Sequence, residues 1–269
     1  MGIGSAPADG GAIIVRDLEK IYEARAGDRV TALDRISLQV RREEFVSVVG
    51  PSGCGKSTLL KIVAGLIAPT GGEATVNGTP VRGPLPDIGM VFQSPVLLPW
   101  KTILHNVLFP IKILRRDVAA HRDAAMALLA LAGLADSAHR YPSELSGGMQ
   151  QRAALCRALV HDPALLLMDE PFGALDAMTR DDMNVELLRI WSERRKTVLF
   201  ITHSISEAVF LSDTVVVMTP RPGRIDCIVP VDLPRPRDIG IKDSKHFGEL
   251  QARVRERIYA GRPAGGGGD

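Results

Sequence analysis

Gly50-Pro51-Ser52-Gly53-Cys54-Gly55-Lys56-Ser57 fits the pattern G-x-x-x-x-G-K-[ST], and it stands between an apolar run ending at Val49 and a helical stretch. This segment restricts the fold tightly, because it asks for a strand, a glycine turn and a helix start in direct succession. The glycines let successive backbone N–H groups converge, and the helix start adds unpaired N–H groups at the positive end of its dipole. The phosphates of a nucleotide, read as ATP, satisfy those donors, so Gly50, Pro51, Ser52, Gly53, Cys54, Gly55, Lys56, Ser57 and the following Thr58 are candidate nucleotide-binding residues. Lys56 can reach the β- and γ-phosphates as a mobile point charge, and the Ser57 hydroxyl can ligate magnesium. Leu59, Leu60, Val63 and Leu66 are the helix positions expected to anchor the loop to the core. Cys54 leaves two readings open: Lys56 and the helix start favour a thiolate, while an inert small filler fits as well.

The residues around the loop suggest an α/β fold. Phe45 to Val49, Ile88 to Phe92, Leu165 to Met168, Val198 to Thr202 and Val215 to Met218 are short apolar runs separated by helical segments, the pattern of a parallel sheet covered on both faces. Ile13 to Arg16, Ile36 to Val40 and Ala74 to Asn77 alternate instead, with Asn77-Gly78 a tight turn, which predicts a small antiparallel sheet. Gln93 to Ser146 reads as helical, most clearly over Asp117 to Leu131. Beyond Pro220 the chain is rich in Pro and Arg as far as Asp238, and an amphipathic helix follows near Phe247 to Ile258. Both ends, residues 1–11 and 261–269, have the Gly-rich composition of tails.

Composition narrows the surroundings. A net charge of +2 gives no reason to expect nucleic acid as a partner. The longest apolar stretch, Ala124 to Ala135, is shorter than the ~20 residues of a membrane helix. Three widely spaced cysteines and an N-terminus unlike a secretory signal fit a reducing cytosol.

Ala164 to Glu170 reads as a buried strand that ends in two carboxylates, where strand ends meet a ligand crevice. Asp169 is the candidate magnesium-shell carboxylate and Glu170 the candidate base that polarises the attacking water. Gln93, after another strand, can contact the metal or orient that water, and His203 stands where it can contact a γ-phosphate. No N-K-x-D guanine-reading pattern occurs, which argues against a GTPase. Leu145-Ser146-Gly147-Gly148-Met149-Gln150 precedes a second helix and forms a second phosphate-competent start, with Ser146, Gly147, Gly148 and Gln150 as candidate contacts.

The phosphate loop, Gln93, the Leu145 to Gln150 signature, Asp169-Glu170 and His203, in that order along nearly the whole chain, resemble the ATPase subunit of an ABC transporter. The resemblance implies a P-loop NTPase core with a mainly parallel sheet, an N-terminal antiparallel β subdomain and a helical subdomain carrying the signature. It places an ATPase domain over residues 12–238, the helical subdomain near 94–160 and a C-terminal helical extension over 239–260. It also implies a head-to-tail dimer of two copies, with each Mg·ATP held between one phosphate loop and the other copy's signature. Tyr22 resembles the aromatic that stacks on adenine, and Ala174-Leu175-Asp176 the loop that crosses the dimer interface.

Leu97-Leu98-Pro99-Trp100, Glu170 to Asp176 and Leu233-Pro234-Arg235-Pro236-Arg237 are similar to the importers of nitrate, sulfonates and taurine. That likeness implies permease subunits docked around Gln93 to Trp100, with Phe172 and Trp100 supporting subunit contacts. It further implies a solute-binding protein that acts indirectly, and a peripheral position on the cytoplasmic face of the inner membrane. Glu43 departs from the family, which usually has Gly there. Two other readings fare worse. A DNA- or ribosome-remodelling ATPase of the superfamily would carry a long coiled-coil insertion or a second ATPase unit, and a nucleotide sensor without turnover would not need both Lys56 and Glu170.

Overall fold

The structure, a computed structural model, describes residues 11–23, 28–173, 175–193 and 195–260. The expected tails therefore lie, apart from Gly11, outside the described residues, as does Ala174. In chain order the strands are β1 (Gly11–Glu23), β2 (Arg29–Arg41), β3 (Phe45–Val49), β4 (Gly71–Val76), β5 (Thr79–Pro80), β6 (Ile88–Val91), β7 (Leu165–Asp169), β8 (Thr197–Ile201), β9 (Thr214–Met218) and β10 (Ile225–Pro230). The helices are α1 (Lys56–Val63), α2 (Ile103–Val107), α3 (Phe109–Ile113), α4 (Arg122–Leu131), α5 (Gly147–Leu159), α6 (Ala177–Glu193), α7 (Ile205–Leu211) and α8 (Lys245–Ala260).

Period-two alternation builds the smaller sheet, whose order is β2-β1-β4-β5 and whose pairs are antiparallel. Ile36, Leu38 and Val40 of β2 point inward while Ser37 and Gln39 face out, so one face packs and the other stays wet. Asn77 and Gly78 both take positive φ and join Val76 to its partner Thr79, the two-residue hairpin turn that Asn-Gly favours.

The larger sheet runs β10-β9-β3-β8-β7-β6. Every residue of β3 and β8 is buried, as expected of strands covered on both faces. The five strands from β9 to β6 pair in parallel, so their C-terminal ends share one edge. Register does the rest: Val48 pairs with Ile201, and Ile201 with Asp169. The residues just past these ends, Gly50, Glu170 and His203, are thereby carried to one rim.

Four sequence expectations change. The Pro- and Arg-rich segment after Pro220 contains β10, which pairs antiparallel with β9 at the sheet edge. Helix α4 begins at Arg122 rather than Asp117, because the Asp117 carboxylate accepts from the Ala119 N–H at 2.8 Å and closes a turn. Leu66 lies beyond α1 and is 48% exposed, and Ile62 takes the buried place instead. Phe172, expected at a subunit contact, is buried against Phe200 with ring centroids 6.0 Å apart.

Glu43 adopts φ 59°, and its N–H donates to Thr197 Oγ1 at 3.0 Å. The turn before β3 thus uses the left-handed conformation that glycine adopts without strain, which explains the residue usual there.

Candidate functional site

The phosphate loop is shaped by what surrounds it. Gly55 has φ 102°, and a Cβ there would lie 2.6 Å from Leu33 Cδ2 and 2.7 Å from the Ala32 carbonyl oxygen. Only glycine fits that point. No side chain caps the first turn of α1, so its amides keep their capacity for an anion. Lys56 is buried, and its Nζ donates to the carbonyls of Gly50 at 2.9 Å and Pro51 at 3.1 Å, which ties the loop together from inside.

Cys54 is buried beneath the loop, and burial pushes its thiol above the ordinary cysteine value despite Lys56 nearby. The thiolate reading is thereby corrected to that of a neutral filler. A cavity of about 250 Å³ opens over the loop, walled by Ser52, Lys56, Ser57, Thr58, Tyr22 and Glu170. Tyr22 is 41% exposed at the end of β1, with Lys20 Nζ 5.2 Å from its ring centroid.

At the rim, Ser57 Oγ donates to Asp169 Oδ1 at 2.9 Å, joining the start of α1 to the end of β7. Burial raises the Asp169 carboxyl above the usual range, and the Ser57 hydrogen bond partly offsets that. A hydroxyl and a carboxylate at this spacing form a hard-oxygen pair suited to magnesium. Glu170 has φ 45°, a sparsely populated conformation for a non-glycine residue. Its backbone N–H donates to the Ile201 carbonyl at 2.9 Å, and its Oε2 lies 3.1 Å from His203 Nδ1.

Gln93 comes to the same turn: a Cβ built on Gly173 would lie 3.6 Å from both Gln93 Nε2 and His203 Cε1. The Gln93 amide makes no hydrogen bond to Ser57 or Asp169, whereas Gln151 Nε2 donates to the Phe92 carbonyl at 3.2 Å and steadies the segment before it.

None of the signature residues lines the phosphate cavity. Ser146 caps α5 by accepting from the Met149 N–H at 3.3 Å. Gln150 Nε2 donates to the carbonyls of Pro142 and Leu145, so its amide shapes the approach to the helix. Gly147 is exposed and Gly148 half-buried, and a Cβ on Gly148 would lie 3.0 Å from Thr179 Cγ2 on α6. Asp176 caps α6 by accepting from the Thr179 N–H at 3.0 Å, and hydrogen bonding from Thr179 holds its carboxyl below the usual value.

Beside Gln93 runs an apolar groove of about 620 Å³, lined in part by Phe92, Val96, Leu98, Phe109 and Ile113. Val96 and Ile113 are 59% and 64% exposed, and Trp100 is 71% exposed. Sequence reading missed Arg221. It stands in the loop after β9, lines the phosphate cavity and donates from Nε to the Gly53 carbonyl at 3.3 Å. Only its position just past a strand end hinted at this.

Residues 33–173 match the family profile described as ABC transporter. The chain is 52% identical over 240 residues to an uncharacterised ABC transporter ATP-binding protein of Methanocaldococcus jannaschii, covering 89% of this chain and 88% of that one. It is 44% identical over 244 residues to the taurine import ATP-binding protein of Rhizobium johnstonii, covering 89% and 93%. Among solved structures, the fold is similar to a dimeric bacterial ABC transporter cassette, with TM-score 0.72, 33% identity, and coverage of 82% of this chain and all of that one. A cassette dimer in a post-hydrolysis state bound to ADP and Pi gives TM-score 0.70 at 30% identity, with the same coverage.

Proposed function

Because the chain belongs to the ABC transporter family as an ATP-binding subunit whose hydrolysis of ATP is coupled to transport, we propose that it powers import of a small molecule of the nitrate, sulfonate and taurine class. The observation that carries the site assignment is the pairing at the strand ends: Ser57 with Asp169, and Glu170 with His203. The taurine importer relatives, 44–46% identical, support the cargo class.

In this proposal the loop amides from Gly50 to Thr58 and the Lys56 ammonium bind the triphosphate, and Tyr22 stacks on the adenine. Ser57, Asp169 and Gln93 hold magnesium, which when bound neutralises charge on the β- and γ-phosphates. Glu170 draws the proton from an attacking water, and His203 holds the Glu170 carboxylate and reaches the γ-phosphate. The fold suits this division, since Gln93, Asp169, Glu170 and His203 sit at or just past the ends of the neighbouring strands β6, β7 and β8, which need little reorganisation.

Ser146, Gly147, Gly148 and Gln150 serve a second copy's nucleotide in a head-to-tail dimer, with Asp176 at the crossing loop. That none of them lines the chain's own phosphate cavity supports that reading, as does the dimeric state of the similar cassette. ATP closes the dimer, hydrolysis weakens it, and the motion passes to permease subunits docked in the groove beside Gln93 and Trp100. The proposed organisation keeps residues 12–238 as the ATPase domain, about 94–160 as its helical part and 239–260 as an extension. No helix among the described residues is long and apolar enough to cross a membrane, so the permease supplies the span. The subunit sits peripherally on the cytoplasmic face of the inner membrane, and a solute-binding protein acts on it only through the permease.

The decisive experiment is Glu170→Gln. Phosphate release should fall by at least about 100-fold, the range lost with a general base, while ATP still binds and drives dimer formation seen by light scattering. Full turnover in that variant would remove Glu170 from its assigned role.

A further inference from the structure

A second cavity, of about 420 Å³, lies between the C-terminal end of α6 and the segment Leu233 to Arg237, and four of its lining side chains are Arg189, Arg195, Arg235 and Arg237. Its aromatic wall is Trp191, only 4% exposed, whose indole N–H donates to the Lys196 carbonyl at 2.8 Å. The guanidiniums of Arg195 and Arg235 lie 5.1 and 4.4 Å from the Trp191 ring centroid, held by the attraction of a cation to a π-face.

The cations are incompletely answered. Glu186 and Glu193 pair with Arg189 at 2.6 and 3.7 Å, and Asp213 pairs with Arg235 at 2.8 Å. Arg235 uses Nε and Nη2 in those contacts and leaves Nη1 without a hydrogen bond among the described residues. Arg195 stacks on Trp191 and makes no ion pair or hydrogen bond among the described residues. Arg237 is 6% exposed; its Nη1 and Nη2 donate to four backbone carbonyls, and its buried Nε has no partner. Burial and the neighbouring Arg235 lower the Arg237 guanidinium to about 10. Buried cations are normally paired directly with carboxylates, whereas this one bonds only carbonyls among the described residues and feels Asp213 from beyond ion-pair distance.

We propose that this cavity binds a small oxyanion carried on a flat apolar body, the charged group bridging Arg195 and Arg235 and the body lying against Leu188 and Pro236. Planar guanidinium forks match carboxylate, sulfate and phosphate oxygens, and the volume falls in the range of small-molecule sites. Arg235 and Arg237 also tie their segment to the body of the fold. Arg195 has no such duty and distinguishes a ligand site from a purely structural one. The inference goes beyond the proposed function and does not depend on it.

The test uses the full chain with Trp100→Phe, which leaves Trp191 as its single tryptophan. Titration with benzoate should change Trp191 fluorescence saturably, with half-saturation at or below about 1 mM. Inorganic sulfate should compete more weakly, and benzylammonium should leave the signal unchanged. Adding Arg195→Gln should weaken benzoate by at least about tenfold with an unchanged melting temperature, while saturating Mg·ATP should leave the benzoate curve in place. The proposal is overturned by a linear response to about 10 mM benzoate, by an equal response to benzylammonium, by undiminished affinity in the Arg195→Gln variant, or by loss of the benzoate response when ATP is added. Should that variant fold poorly, the benzoate, benzylammonium and ATP arms decide alone.

Discussion

Gly55 and Gly147 both open a helix at a site read as phosphate-competent, yet their surroundings differ. At Gly55 the backbone is left-handed and a side chain would run into Leu33 and Ala32. At Gly147 a Cβ would meet nothing within 4 Å. The first helix has no side-chain cap, while Ser146 already satisfies one amide of the second. Packing within the chain therefore accounts for Gly55 and gives no reason for Gly147. A position open to solvent that is still glycine suits a surface approached from outside, as a second copy's nucleotide would do.

The largest expected effect tests the first half of that contrast. Gly55→Ala forces φ 102° and the Leu33 clash on a side chain, which should cost about 3 kcal/mol of stability and abolish ATP binding. Calorimetric melting and a nucleotide-binding titration check it, and a variant that keeps both would show that the loop relaxes. Gly147→Ala should instead leave melting within about 0.5 kcal/mol and ATP binding by the isolated subunit intact, yet lower turnover at least about tenfold, because in the proposed dimer the added methyl would stand between α5 and the nucleotide phosphates bound by the second copy. Equal losses of stability in the two variants would erase the difference between the sites.

Arg221 lies between these extremes. It reaches the Gly53 carbonyl from the loop after β9 with an exposed guanidinium, so Arg221→Ala should raise the KM for ATP about three- to tenfold with little change in kcat. A fall in kcat at unchanged KM would move Arg221 from binding to chemistry. Its position also shows where sequence reading stopped. The loop from Gly50 to Ser57 was legible because its geometry is local, and the five parallel strands because continuous apolar runs have few other uses in a chain of this length. Arg221 contacts a residue 168 positions away, and no local pattern announces that. Strand β10 was hidden for a related reason: it is an edge strand with mostly partly exposed residues, and its Pro and Arg neighbours read as a linker. Phe172 was misplaced because likeness to a family motif says nothing of which way a ring points, and here it points into the core.

Cys54 carries the smallest effect and the closest reading of the loop. Lys56 Nζ lies 3.9 Å from its sulfur, an arrangement that alone would favour a thiolate. Burial acts in the opposite direction and prevails, so the thiol stays neutral and closed off below the glycine turn. Native protein treated with iodoacetamide at about pH 7.5 should therefore keep Cys54 unlabelled by peptide mass analysis and retain its turnover, whereas unfolded protein should label there. Cys54→Ala should cost only about 1 kcal/mol, the scale of a small buried side chain. Rapid labelling of Cys54 in the folded state, with loss of activity, would mean that the loop opens readily. The contrast between a tightly packed first helix start and an open second one would then shrink to a difference of degree.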